Sequence, residues 1–214
     1  LVTHFVPGEK ITRVLDRLAA QRALGDTAAQ PRITALLAHV LESYARQVLE
    51  VGVFQADPHP GNLLADEQGN VTVLDFGCAK QLSDEERSRL LALLGAIVLR
   101  DSARMAEALE QLGFRTRSGT REGLVAYAKN ALEQLALVSG DGFRDQDELL
   151  TRVAAFGRFM HGDPIEQLPE SFVMLGRVFG TLSGLFAHYR PDVSATARVL
   201  PIVLSALAGS ARAA

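Results

Sequence analysis

Two short loop sequences carry most of the recognisable chemistry of this 214-residue chain. Residues 55–62 read Gln-Ala-Asp-Pro-His-Pro-Gly-Asn, and residues 75–77 read Asp-Phe-Gly. Between them, the apolar runs 63–65 and 71–74 flank a turn-rich segment, which predicts a small β-hairpin. Such a hairpin returns the second loop to the first, so we expect three polar side chains to meet there: Asp57, Asn62 and Asp75.

These side chains suit phosphoryl transfer. A carboxylate and an amide oxygen can hold Mg²⁺, which prefers oxygen ligands. The second carboxylate then remains to orient or deprotonate an attacking hydroxyl or water, as phosphoryl transfer requires. The competing interpretation is a chance match, because Asp and Asn are common in turns. The joint spacing, with the flanking Pro-His-Pro-Gly and Phe-Gly, favours the functional interpretation.

The composition limits the class of protein. Hydrophobic residues make up 48% and charged residues 22%, which fits one compact domain or two small lobes and argues against disorder. The net charge of −3 argues against a nucleic-acid partner. The single cysteine, Cys78, excludes an intrachain disulfide and a multi-cysteine metal site. The longest apolar stretch, 199–208, is too short to span a membrane.

The pattern of apolar residues predicts a mainly α fold with one small β-hairpin. We expect a strand over 1–6 and a capping box formed by Ser83 and Glu86. Pro201 either kinks the last helix or marks a later start. The helices are predicted over 9–24, 31–51, 83–100, 102–112, 121–138, 146–160, 169–188 and 193–208.

The two loops together resemble the catalytic and metal loops of protein kinases. Residues 55–62 stand in place of the usual His-Arg-Asp and are similar to the signature of the UbiB/AarF-type atypical kinase family (aarF-domain-containing kinases). The resemblance implies a protein-kinase-like C-terminal lobe. It also implies Mg²⁺-dependent ATP hydrolysis or phosphoryl transfer linked to isoprenoid-quinone (ubiquinone) metabolism.

The resemblance also assigns roles, with ATP and Mg²⁺ as cofactors. It implies that Asp57 is the catalytic aspartate and that Asn62 and Asp75 bind the metal. Four residues would face the adenine through their backbone: Thr3, His4, Phe5 and Val6. The implied domains are a hinge and last N-lobe strand over 1–8 and a helical C-lobe over 9–214, with a catalytic loop at 53–62 and a metal loop at 75–77.

Several family features are missing, so the chain's own activity is uncertain from sequence. Neither Gly-x-Gly-x-x-Gly nor Lys-x-Gly-Gln occurs. We therefore expect the C-lobe of a longer protein, which alone binds ATP poorly and turns over little or none of it. By resemblance, its partners would be ATP and isoprenoid lipids or quinone-pathway proteins. The resemblance also suggests peripheral membrane contact and an intracellular location.

Two other functions compete with this one. The first is a non-catalytic, pseudokinase-like helical module that binds lipid or protein. The second, less favoured, is a small-molecule kinase of the aminoglycoside or choline type. Residues 161–163 read His-Gly-Asp as in those kinases, but the expected Asn is replaced by Leu168. We interpret this segment as a loop that ends a helix.

Other loop residues have less certain roles. Gln55 either orients the catalytic loop or ends a buried turn. We expect His59 to bond locally rather than act as a base, Phe76 to pack, and Cys78 to be a small buried side chain.

Overall fold

The computed structural model describes residues 5–138 and 163–213, which are mostly helical. In chain order the elements are β1 Glu9–Lys10, α1 Ile11–Ala23, α2 Ala29–Arg46, β2 Val53–Gln55, β3 Leu63–Ala65, β4 Val71–Val73, β5 Ala79–Gln81, α3 Asp84–Val98, α4 Ser102–Leu112, β6 Arg115–Thr116, α5 Arg121–Val138, β7 Ile165–Gln167, α6 Glu170–Tyr189 and α7 Ala195–Ala213. The expected mainly α fold with a small hairpin is confirmed.

The long second helix ends in an unusual way that matters for the site. Helix α2 starts two residues before Pro31, a position in the first turn that a proline tolerates. A π-helical turn, Gln47–Val51, extends it, and Gly52 caps it with a φ of 76°. The π turn precedes β2, and the Gln47 side chain accepts a hydrogen bond from the Gln55 N–H at 3.0 Å.

The described residues form three small antiparallel sheets, two of which flank the two loops. Strands β3 and β4 form the predicted hairpin, with Leu63 opposite Val73, and β1 extends it beside β3. Strand β2 pairs with β5, and β6 pairs with β7. These last two sheets were not predicted, because strands of two or three residues are too short to show an alternating pattern.

The start of the chain differs from the expected strand over 1–6. Residues 1–4 lie outside the described part, while Phe5 and Val6 belong to no strand. The first strand is instead β1, after Pro7 and Gly8. Gly8 has a φ of 145°, and a Cβ there would lie 3.1 Å from the Ala65 carbonyl oxygen. The glycine therefore lets the chain approach β3 before pairing begins.

The later helices match their predictions where they are described. Helices α4 and α5 have the expected bounds, and α6 begins one residue late, after Pro169. Helix α7 starts at Ala195 and continues through Pro201, so a later start at the proline is wrong. The helix predicted over 146–160 lies outside the described residues.

Two apolar clusters form the core. The larger joins α1, α2, α6 and α7 to the small sheets, and the smaller joins α4 and α5 to part of α3. Phe114 and Phe172 meet edge to face, with ring centroids 4.8 Å apart, and link α6 to the smaller cluster. Within residues 5–138 and 163–213, no helix combines the length and apolar character needed to cross a bilayer.

The capping box at the start of α3 is confirmed. The Ser83 Oγ accepts a hydrogen bond from the Glu86 N–H at 3.1 Å, and the Ser83 N–H donates to Glu86 Oε2 at 2.9 Å. That backbone donor is the main reason why the pKa of Glu86 lies below its ordinary value of 4.5. The folded state therefore favours the ionised carboxylate at the N-terminus of the helix.

Ser83→Ala should lower the free energy of unfolding at pH 7 by about 1 kcal/mol, measured by urea unfolding.

The capping carboxylate of Glu86 should also make stability depend on pH. Because the pKa of Glu86 is lowered by folding, its contribution to stability is present above the unfolded pKa and disappears as the pH falls through the folded pKa. Urea unfolding between about pH 5 and pH 3 should show a shallower loss of stability in Glu86→Gln than in the unmodified chain. Equal slopes would argue against this contribution.

Candidate active site

Backbone pairing brings the two loops together. The Leu74 N–H donates to the Asn62 carbonyl at 2.7 Å, one step beyond the β3–β4 pairing. On the other side, the Ala56 N–H donates to the Cys78 carbonyl at 2.8 Å, one step beyond the β2–β5 pairing. Segments 55–62 and 74–79 are therefore held side by side at both ends, as the hairpin prediction implied.

The buried side chain of Gln55 ties both loops to α2. Its Oε1 accepts hydrogen bonds from the Tyr44 hydroxyl at 2.9 Å and from the Asp57 N–H at 3.2 Å. Its Nε2 donates to the carbonyl of Asp57 and, at 3.2 Å, to that of Asp75. One fully buried amide thus joins the backbones of the predicted catalytic residue Asp57 and the predicted metal ligand Asp75, and Gln55 orients segment 55–62.

The electrostatics around Tyr44 agree with this arrangement. Burial, and beyond it the negative charge of Asp57, raise the pKa of Tyr44. The hydroxyl therefore keeps its proton across the physiological range and remains a donor to Gln55.

Asn62 and Asp75 each carry a side-chain oxygen of the type that a hard cation prefers. The Asn62 Nδ2 lies 3.5 Å from the Asp57 carbonyl oxygen, so the amide oxygen is the group left to face a ligand. Asp75 has a φ of 57°, and its Oδ1 accepts the Gly77 N–H at 3.0 Å. A Cβ at position 77 would lie 3.0 Å from that oxygen, so Gly77 leaves room for the carboxylate.

The donor set is too small to be a complete metal cage. Within the described residues, no group of three or more His, Cys, Asp or Glu side chains could hold a metal ion. Mg²⁺ commonly takes only one or two protein oxygens, with phosphate oxygens and water completing its octahedron. The amide of Asn62 and the carboxylate of Asp75 fit that pattern and would hold Mg²⁺ only together with a phosphate ligand.

Arg177, on α6, lies beside Asp57. Its Nη2 is 3.6 Å from the Asp57 Oδ1, and both side chains are about half exposed, at 53% and 42%. Segment 53–62 contains no Lys or Arg of its own, and Lys80 on β5 pairs with Glu170 at 3.2 Å. Arg177 therefore supplies positive charge next to the predicted catalytic aspartate.

Sequence reasoning did not single out Arg177 as functional. It follows Asp57 by 120 positions, on a helix where an ion pair with any acidic residue was equally plausible. Its placement depends on α6 being held at both ends. Lys80 pairs with Glu170 at one end, and the Tyr189 hydroxyl donates to Asp16 Oδ1 at 2.8 Å at the other. No local signal in the sequence could reveal this.

The remaining loop residues give mixed outcomes. His59 bonds locally, as expected, because its Nδ1 accepts the Gly61 N–H at 3.1 Å. Cys78 is exposed, so the expectation that it is buried is wrong, and Phe76, which we expected to pack, is 54% exposed. The turn after Asp75 faces outward, and β5 begins directly after Cys78. Phe5 is 91% exposed and Val6 partly exposed, while Thr3 and His4 lie outside the described residues.

The His-Gly-Asp at 161–163 is described only at Asp163. Both Asp163 carboxylate oxygens accept hydrogen bonds from Ser118, one from its N–H and one from its hydroxyl, each at 2.8 Å. These bonds lower the pKa of Asp163. The carboxylate therefore closes the loop between β6 and α5, which supports the structural interpretation of this segment.

Comparison with family models gives a match to the ABC1 atypical kinase-like domain over residues 1–109. Two similar curated proteins come from Arabidopsis thaliana. Protein ACTIVITY OF BC1 COMPLEX KINASE 7, chloroplastic, is 29% identical over 200 residues, covering 91% of this chain and 26% of that protein. KINASE 1 of the same series is 31% identical over 147 residues, covering 69% and 21%. The chain thus spans about a quarter of their length.

A solved structure shows the same fold. The chain of Rv3197 from Mycobacterium tuberculosis, determined in complex with erythromycin, superposes with a TM-score of 0.59 at 15% identity. The match covers 91% of this chain and 47% of that one. At this identity the likeness establishes the fold only.

Proposed function

Since this chain belongs to the ABC1 atypical kinase-like family, we propose that it forms the catalytic and metal-binding part of a kinase or ATPase that uses ATP and Mg²⁺. The observation that carries the proposal is the buried amide of Gln55, which hydrogen-bonds the backbones of both Asp57 and Asp75. A fully satisfied buried polar group that joins two loops fixes their relative position, and phosphoryl transfer depends on such positioning.

The proposed domains follow the resemblance. Residues 1–8 correspond to the hinge and last strand of an N-lobe, and residues 9–214 to the helical C-lobe. Thr3, His4, Phe5 and Val6 would contact the adenine through their backbone. The full protein's activity is part of the proposal, because the chain spans only part of its relatives.

Each site residue has a proposed task. The oxygens of Asn62 and Asp75 would hold Mg²⁺, which would neutralise charge on the ATP phosphates. Asp57 would orient the acceptor, a hydroxyl group or water, and take its proton. The acceptor oxygen bonds to the γ-phosphorus while the bond to the β,γ-bridging oxygen breaks, and the electron pair leaves with ADP. Arg177 would stabilise the negative charge on the transferred group.

The link to isoprenoid-quinone metabolism belongs to the same proposal and is supported by the resemblance alone. The same holds for isoprenoid-lipid or quinone-pathway partners, for an intracellular location and for peripheral contact with a membrane. A non-catalytic module remains the second candidate, and binding of ATP separates the two.

Arg177→Gln should weaken Mg²⁺-dependent ATP binding about ten-fold, because a charge-assisted hydrogen bond contributes about 1.5–3 kcal/mol. Isothermal titration of ATP into the chain, with Mg²⁺ and then with EDTA, measures this. Arg198→Gln is the matched control, since Arg198, on α7, makes an exposed ion pair with Glu42 of α2 at 3.2 Å.

Arg177→Lys keeps the charge and should recover part of the affinity for ATP. If Arg177 had a purely structural role, Arg177→Gln and Arg198→Gln would bind ATP equally well. ATP binding that EDTA leaves unchanged would contradict the proposed function. Normal Mg²⁺-dependent binding by Arg177→Gln would remove Arg177 alone from it.

A further inference from the structure

A cavity of about 350 Å³ lies between α2 with its π turn, α3, α6 and α7. Its described wall consists of aliphatic and aromatic side chains, and several of them are almost completely buried. Leu49, Leu93 and Leu182 are 4%, 6% and 5% exposed. The inner wall of the cavity thus belongs to the packed core, while Phe179 and Gly176 on its outer side are exposed.

The size of this cavity is unusual for a protein interior. Protein cores pack like organic crystals and leave few voids larger than a water molecule. An ordered water needs two to four polar partners, which this wall does not offer, and purely apolar cavities accept small hydrocarbons instead. The volume lies near the lower end of the range for natural ligand pockets, about 300–1,000 Å³.

The wall selects the chemistry of the ligand. Its polar group, the Tyr44 hydroxyl, already donates to Gln55 at 2.9 Å. A polar atom of a ligand would therefore be buried without a partner, which is costly. Phe179, on the same wall, is 66% exposed, so the cavity opens to solvent at that end of its lining. This lining suits one apolar chain with its polar end outside.

We propose that this cavity binds a single aliphatic chain, of the kind carried by a free fatty acid, and that Tyr44 couples this binding to the conformation of the catalytic loop. Tyr44 is at once a wall of the cavity and the donor to the Gln55 amide. A chain packed against the ring constrains the hydroxyl, and through it the amide that joins Asp57 to Asp75. The effect of this link on catalysis rests on the proposed function, but binding of the aliphatic ligand does not.

Gly176 offers a direct way to close the cavity. It lines the wall, and a Cβ built there would meet no heavy atom within 4 Å. Gly180, one turn later on α6, has the same open surroundings but does not line the cavity. Gly176→Leu and Gly180→Leu therefore make the same change to the helix, and only the first fills the ligand's space.

The test uses decanoate, kept below its micelle concentration, in isothermal titrations and amide NMR. The unmodified chain and Gly180→Leu should bind one decanoate per chain, and Gly176→Leu should bind at least about ten-fold more weakly. Val199→Phe, on the opposite wall, is a second blocking variant should Gly176→Leu fold poorly. In the unmodified chain, the Gln55 and Asp57 amide signals should shift on binding.

Tyr44→Phe keeps the wall and should bind decanoate without moving those amide signals. No binding by the unmodified chain, or binding by both blocking variants that is as tight as that of the unmodified chain, would overturn the site. Binding that leaves the Gln55 amide unmoved in the unmodified chain would overturn the link to the catalytic loop. Because no readout uses ATP, these results are independent of the proposed kinase activity.

Discussion

Asp75→Asn should reduce Mg²⁺-dependent ATP binding by about 10- to 100-fold while leaving the fold intact. The expected loss follows from removing the one negative charge in the proposed ligand pair, which leaves two neutral amides to hold a divalent cation. Asparagine keeps the size of the side chain and can still accept the Gly77 N–H. It also tolerates the φ of 57° at this position, which alanine does less readily.

The matched control is Asp84→Asn. The Asp84 side chain is fully exposed in the first turn of α3, with Arg87 at 3.4 Å. Its loss of charge should leave ATP binding unchanged. Circular dichroism and thermal unfolding of both variants would show that folding is preserved. Equal ATP binding by Asp75→Asn and the unmodified chain would remove Asp75 from the metal site.

Gln55→Leu should lower the free energy of unfolding by about 3–5 kcal/mol, and it is the largest effect on stability that we expect. The substitution removes a hydrogen-bond partner from four groups: the Tyr44 hydroxyl, the N–H and carbonyl of Asp57, and the carbonyl of Asp75. Each unsatisfied buried group costs about 1–3 kcal/mol, and partial relaxation should recover some of that sum.

Gln81→Leu is the control for this prediction. Gln81 is exposed on β5, the strand that pairs with β2, so its substitution should change stability by less than about 0.5 kcal/mol. Urea unfolding, with the slope compared among the three proteins, measures both values. A Gln55→Leu chain within about 1 kcal/mol of the unmodified one would show that the amide is not the joint between the loops.

The parts of this fold that the sequence predicted are those decided by nearby residues. The β3–β4 hairpin follows from two apolar runs around a turn, and the α3 capping box needs only Ser83 and Glu86. The end of the π turn that extends α2 lies at Gly52, as expected from the glycine's tolerance of a positive φ. In each case the residues that decide the structure lie within a few positions of one another.

The parts that escaped prediction depend on distant residues. Strands β2 and β5 pair across the whole catalytic segment, and each is too short to show a pattern. The Arg177–Asp57 ion pair depends on how α6 is docked, which tertiary packing alone decides. The exposure of Phe76 and Cys78 was not predicted, because phenylalanine and cysteine are usually buried, whereas the turn after Asp75 exposes them.

The central claim is that side-chain oxygens of Asn62 and Asp75 share one divalent cation when ATP is bound. Mn²⁺ in place of Mg²⁺ broadens the NMR signals of nearby nuclei, so it reports the position of the ion directly. With ATP and Mn²⁺, the Asn62 side-chain amide and the backbone amides of Asp75 and Gly77 should broaden strongly, and Asp75→Asn should restore them. Broadening centred elsewhere, or unchanged in Asp75→Asn, would contradict the claim.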